Sequence, residues 1–386
     1  MTVEGRVVAA SMREVVEHAE VIVCCGSGGV GKTTTAALIG IDAARLGRRV
    51  VVVTIDPAKR LADALGLTVG LSSSPQRIDG LGVEDGDVGD AGGQGEMWAM
   101  MLDTAATFDG LVRTHADDDE QIDRILSNRF YRNMAGAMSG TQEYMAAETL
   151  HALHNDDRFD LVVVDTPPSR NALDFLDAPG VLSRFLDHRI FKLAMLPTRS
   201  GLKVFGAAAQ PIFRAIGKVV GSDVLADSLA FFQAFSGMET GFRERADDVV
   251  ALLRAEGTAF VVVASPQHDT ITEAVWFARQ LDDQGVGVAA AIVNRVQPAF
   301  GEIAVPDDVG RGFGSAGSTG IGAGADELAA LWTNLAELQQ IRGAELAALE
   351  PLVELTEPAP VALLPLLDGD IHDLDSLDQI ARHLFP

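Results

Sequence analysis

The apolar run Val21-Ile22-Val23-Cys24-Cys25 leads directly into Gly26-Ser27-Gly28-Gly29-Val30-Gly31-Lys32-Thr33. This junction restricts the fold more than any other part of the chain. A glycine, four residues of any kind, a second glycine, lysine and threonine spell a phosphate loop. The β-branched run before it reads as a buried parallel strand, and Lys32 to Leu46 as the helix after it. Such a turn gathers backbone N–H groups at the positive end of a helix, where phosphate is favoured. Lys32 would reach the β and γ phosphates, and the Thr33 hydroxyl would ligate Mg²⁺. A nucleoside triphosphate is the expected ligand.

Charge narrows the partners. Thirty basic side chains against 55 acidic ones give a net charge of −25. Phosphate backbones and anionic lipid surfaces need clustered Lys and Arg, so neither nucleic acid nor an anionic membrane surface is expected. The two cysteines, Cys24 and Cys25, are adjacent in the first strand and point to opposite faces. They read as small buried apolar residues, and they exclude both a disulfide scaffold and a four-cysteine zinc site within one chain. The first 20 residues lack the basic-then-apolar order of a secretory signal, and no apolar run reaches the roughly 18 residues of a membrane span. A cytoplasmic location is expected.

Further strand candidates are Arg49–Ile55, Leu161–Val164, Phe260–Ala264, Val286–Val293 and Pro360–Leu364. Each apolar run meets polar or turn residues at its carboxyl end, as in a parallel sheet that binds ligand beyond its strand ends. Alternating helices complete an α/β class: a phosphate-loop fold with a mainly parallel twisted sheet flanked by helices. Residues 1–386 are expected to form one such domain. Two stretches, about 97–157 and 180–253, are too long and helical to be simple crossovers. They are expected to insert a helical subdomain above the sheet. The Gly/Asp-rich stretch 82–95 and the Gly/Ser-rich stretch 310–324 read as flexible loops.

Two carboxylates and a switch segment complete the expected site. Asp165 closes a strand and is placed to hold Mg²⁺, although an Asp there also serves as a helix cap. The segment Thr166-Pro167-Pro168-Ser169-Arg170 after it would sense the γ-phosphate. Asp56 ends the second strand before Pro57, where a carboxylate can position and polarise the attacking water or simply make a strand-end turn. Lys59 and Arg60 lie close behind it, as neighbours of the site or as solvated charges.

The loop, continued to Thr34, resembles the variant phosphate loop of the ArsA-type ATPases. That family includes the arsenite-efflux and tail-anchored-protein-targeting ATPases, within the wider group of MinD and ParA. Asp56-Pro57-Ala58-Lys59-Arg60-Leu61-Ala62-Asp63 resembles the family's first switch, whose leading Asp is catalytic. Asp165-Thr166-Pro167-Pro168-Ser169-Arg170-Asn171-Ala172-Leu173 resembles the second. Val293-Asn294-Arg295 is similar to the adenine-reading segment, and Leu363-Leu364-Pro365-Leu366 to a later base-contacting loop. The resemblance therefore implies a dimeric ATPase using ATP and Mg²⁺. Asp56 and Lys32 would be catalytic, Thr33 and Asp165 would hold the metal, and Gly28, Gly29, Val30, Gly31, Lys32, Thr33, Thr34, Asn294 and Pro365 would line the nucleotide.

Three departures qualify the resemblance. The family's second loop lysine, which reaches the partner's nucleotide, is Ser27 here. Only five lysines exist in all, Lys32, Lys59, Lys192, Lys203 and Lys218, so none lies spare in the loop. A homodimer with a substitute charge and a heterodimer with a lysine-bearing ArsA-like paralogue both remain open, as does a regulatory chain with little activity alone. The thiolate cluster that arsenite requires is missing, and so is the zinc-binding cysteine pair of the targeting ATPases. The apolar helices from Val181 to Leu253 either pack on one another or present a surface to a hydrophobic client helix or a membrane protein. With five acids against one arginine, the segment from Asp368 to Pro386 is unlike a basic membrane anchor.

Overall fold

The computed structural model describes all residues except 1, 4–5, 8, 10, 56–59, 69, 81–94, 136–140, 168–221, 301–324, 370–372 and 386. The strands are β1 (Thr2–Val3), β2 (Arg6–Val7), β3 (Val21–Cys25), β4 (Arg49–Thr54), β5 (Gln76–Arg77), β6 (Glu96–Met101), β7 (Leu161–Asp165), β8 (Thr258–Ala264), β9 (Val288–Val296) and β10 (Val361–Pro365). Among the described residues the main sheet has eight strands in the order β10-β9-β8-β3-β7-β4-β6-β5. All its neighbours are parallel except the edge pair β5–β6. The expected mainly parallel α/β sheet is present. Its centre, β3 between β7 and β8, carries the phosphate loop at its carboxyl end.

Helices cover both faces. They are α1 (Met12–His18), α2 (Lys32–Arg45), α3 (Arg60–Ala64), α4 (Thr104–His115), α5 (Asp119–Leu126), α6 (Arg129–Ala135), α7 (Thr141–His154), α8 (Ser222–Ala234), α9 (Glu239–Leu253), α10 (His268–Asp283), α11 (Ala325–Thr356) and α12 (Leu374–Leu384). Strand alternation divides the core. Ile22, Cys24, Val50, Val52 and Val163 pack with α1, α2 and α12 on one face. Val21, Val23, Cys25, Val51 and Val162 pack with α7, α9, α10 and α11 on the other. Cys24 and Cys25 are free and buried in different cores, and burial pushes Cys25 up to about 12.

A third cluster stands apart from the sheet. Phe108, Tyr131, Phe231, Phe235 and Phe242 meet at its centre, with ring centroids 4.9 to 6.1 Å apart. It joins α4–α7 to α8 and α9. Helix α9 belongs to two layers: Met238, just before it, and Phe242 and Ala246 face the aromatic cluster, while Val249, Leu252 and Leu253 face the sheet.

Two boundaries differ from the expectation. The helical run beginning at about 97 starts instead at Thr104, because residues 96–101 pair one for one with Arg49–Thr54. Glu96-Met97-Trp98-Ala99-Met100-Met101 carries no β-branched residue, so its strand state comes from that pairing rather than from propensity. Strand β9 runs through Asn294 and Arg295 to Val296 instead of stopping at Val293. The stretches 82–94 and 310–324, and residues 180–221 of the second helical stretch, lie outside the described residues.

Candidate functional site

The loop between β3 and α2 is shaped by contacts that only glycine allows. Gly26 has φ +150°, and a Cβ there would meet the Val263 carbonyl oxygen at 2.0 Å. Gly31 has φ +102°, and its Cβ would lie 2.2 Å from Asn294 Nδ2. The loop is thus pressed against β8, the strand beside it, and β9, the next one out. Gly31 precedes α2 in a left-handed conformation with no side-chain cap, and the first turn carries no acid. The helix presents its amino-terminal N–H groups and positive dipole end to the loop.

Lys32 is almost fully buried. Its ammonium donates to the carbonyl oxygens of Gly26 at 2.9 Å and Ser27 at 2.8 Å. Burial lowers its pKa, and the nearby Asp165 carboxylate opposes that shift. Asp165, closing β7, is 1% exposed. Its Oδ2 accepts hydrogen bonds from the hydroxyls of Thr33, at 2.8 Å, and Thr54, at 2.9 Å. The adjacent Thr33 hydroxyl and Asp165 carboxylate are oxygen donors of the kind a hard divalent cation takes. These residues, from the starts and ends of three different elements, converge because parallel strands deliver their carboxyl ends to one edge.

Asn294 and Arg295 support the loop from β9. Asn294 Nδ2 donates to the Val30 carbonyl at 3.0 Å. Arg295 has φ +65°, uncommon for a residue with a side chain, and its Nη1 donates to the Gly29 carbonyl at 3.2 Å. Pro365 lies at the end of β10, opposite Val296. Gly28 and Gly29 are exposed, Thr34 is half-buried, and the Ser27 hydroxyl is buried without a hydrogen-bond partner. Asp56 and Lys59 lie outside the described residues, as does the second-switch segment from Pro168 onward.

Thr166, the first residue of the expected γ-phosphate-sensing segment, donates its hydroxyl to the Cys24 carbonyl at 2.7 Å and so ties the start of that segment to β3. Sequence reasoning missed two participants. Thr54 was detectable as the polar end of an apolar strand. Gln142, at the start of α7, donates through Nε2 to the Ile55 carbonyl at 3.1 Å and anchors the chain just before Asp56. No local pattern announces that contact. Together the loop, the buried ammonium and the hydroxyl–carboxylate pair can hold a polyphosphate and neutralise its charge.

A family model described as anion-transporting ATPase matches residues 19–302, from just before β3 to beyond β9. The chain is 25% identical over 276 residues to the ATPase GET3 of Malassezia globosa, covering 71% of this chain and 72% of that protein. It is 26% identical over 274 residues to ATPase get3 of Aspergillus terreus, covering 70% and 71%. Among the described residues, no helix is long and apolar enough to cross a membrane. Sheet order, loop geometry and matched length agree, and the chain belongs to the ArsA-type anion-transporting ATPase family, an ATPase by that membership.

Proposed function

We propose that this ATPase is a Mg²⁺-dependent switch that works as a dimer and couples ATP hydrolysis to a transporter or a hydrophobic client. The observation that carries the reading is the shared hydrogen bond between Thr33 and Asp165, 2.8 Å long, beside the buried Lys32. In this reading Lys32 leaves the loop carbonyls for the β and γ phosphates of ATP. The N–H groups at the start of α2 bind the same phosphates, with Gly28, Gly29, Val30, Gly31 and Thr34 around them. Thr33 and Asp165 hold Mg²⁺, which supplies charge neutralisation on the phosphates when bound. Asp56 positions the attacking water, and Asn294 and Pro365 lie towards the base. A cytoplasmic setting fits such a switch.

The resemblance to targeting ATPases supports a hydrophobic client or a membrane protein as partner, received on the helical layer. Ser27 favours a second reading. A serine hydroxyl cannot bring positive charge to the partner's nucleotide. The chain would then be the ATP-binding regulatory subunit of a heterodimer whose other member carries the lysine.

Mg²⁺-dependent turnover by the purified chain across protein concentration, with Lys32→Ala as the blank, separates the two readings. Turnover per subunit that rises with concentration supports a competent homodimer. ATP binding without turnover by the chain alone supports the heterodimer, and absence of ATP binding sinks both.

A further inference from the structure

A cavity of about 440 Å³ opens between the sheet and the helical layer, walled by α4, α7, α9 and the end of β6. It shares no residue with the phosphate loop. Its volume lies within the range of pockets that hold small organic molecules.

The decisive group is Glu148 on α7, which lines the cavity and is 3% exposed. Its Oε1 accepts from Arg245 Nε at 2.7 Å, and Arg245 Nη2 lies at the same distance. Its Oε2 has no hydrogen-bond partner. A buried carboxylate oxygen left unpaired costs more than an ordinary missing hydrogen bond, so a donor at this point would be strongly favoured. Among the described residues of the wall, Arg245 is the one guanidinium, and it is already committed to Glu148. A second carboxylate, Asp103, stands at the start of α4. The wall therefore suits a cation rather than an anion. Beside these groups, Met100, Leu111 and Leu153 supply apolar surface.

We propose that this cavity is a binding site for a small organic cation with an apolar body, one N–H donor on Glu148 Oε2 and its body against Met100, Leu111 and Leu153. A single charge-assisted N–H bond to Oε2 completes the carboxylate, whose Oε1 is already taken by Arg245. The assignment is independent of the nucleotide site.

Gly110 provides the test. It lines the cavity, and a Cβ added there meets nothing within 4 Å, so the Gly110→Leu side chain starts into open space on the cavity wall. Benzamidinium is the probe and benzoate the oppositely charged control, each titrated into the full chain by saturation-transfer NMR and by thermal shift. Benzamidinium is expected to bind and raise the melting temperature, and benzoate to do neither. Gly110→Leu should abolish binding without lowering the unliganded melting temperature, since leucine is the better helix former at this interior position. Glu148→Gln should weaken binding by at least about tenfold. Equal binding of benzoate, unchanged benzamidinium binding by Gly110→Leu, or no binding of benzamidinium to the parent chain would each overturn the assignment. Gly110→Leu leaves the Glu148–Arg245 pair intact, so it decides the matter even if Glu148→Gln fails to fold.

Discussion

The loop edge of the sheet and the helical layer above it hold their side chains by different means. At the loop edge, Thr33, Thr54, Asn294 and Thr166 are fixed by hydrogen bonds of 2.7 to 3.0 Å to carbonyls or to Asp165. In the helical layer the centre is a set of aromatic rings with centroids 4.9 to 6.1 Å apart. Directional bonds set atoms within tenths of an ångström, whereas ring packing tolerates sliding at small cost. Both regions hold buried polar atoms without partners, Ser27 Oγ at the loop and His115 Nε2, Tyr144 Oη and Glu148 Oε2 in the layer. Phosphoryl transfer needs the first kind of order, since its rate depends on placement.

The largest test of this contrast removes the hub of the layer. Phe242 is fully buried against Phe108, Phe235 and His115. Phe242→Ala should lower stability by about 3–5 kcal/mol, measured by denaturant unfolding, with ATP affinity of the folded fraction unchanged. A parallel loss of ATP affinity would show that the two regions are not separable. Next comes Lys32→Ala, which should cut turnover by about 10²–10³-fold, while the aromatic layer keeps its near-ultraviolet circular dichroism. A loss of that signal would break the comparison from the other side.

Thr54→Val keeps the shape of β4 but withdraws one donor from Asp165. The cost is expected at about 1.5–3 kcal/mol, read as a raised Mg²⁺ requirement for turnover together with a lower melting temperature. An unchanged Mg²⁺ requirement would mean that Thr54 serves the fold alone. The smallest effect concerns protons. Burial and the charge of Arg245 hold His115 and His151 below the ordinary imidazole value of 6.5. The unfolded chain therefore takes up protons that the folded one refuses. This share of stability is complete above the ordinary value and is lost as pH falls through the lowered ones. A His115→Gln, His151→Gln double variant should show a shallower fall in melting temperature between about pH 7 and pH 5. An unchanged slope would place the acid sensitivity elsewhere.

How far each region could be read from sequence follows from the same contrast. The loop is contiguous, so Gly26 to Thr33 announced itself. Asp165 was legible because a β-branched run ended there. Strand β6 was not, since Met97, Trp98, Met100 and Met101 suit a helix as well, and only pairing with β4 decides between them. Asn294 looks like a turn residue in sequence because polar residues usually end buried strands. In the fold its amide is satisfied by the Val30 carbonyl, so β9 can continue past it. The cavity was invisible for a plainer reason: Met100, Gly110, Glu148 and Arg245 lie on four elements, and no spacing along the chain brings them together.

The two cysteines on β3 give the folded chain a chemical silence. Cys24 and Cys25 lie on an interior strand, and burial raises both thiols well above their ordinary range. Alkylating reagents attack the thiolate, so neither sulfur should react before the sheet opens. The alkylation rate in native buffer then becomes a clock for opening of β3. A cysteine placed at Trp276, on the exposed side of α10, would be the one fast-reacting thiol and could carry a fluorophore with Cys24 and Cys25 left in place.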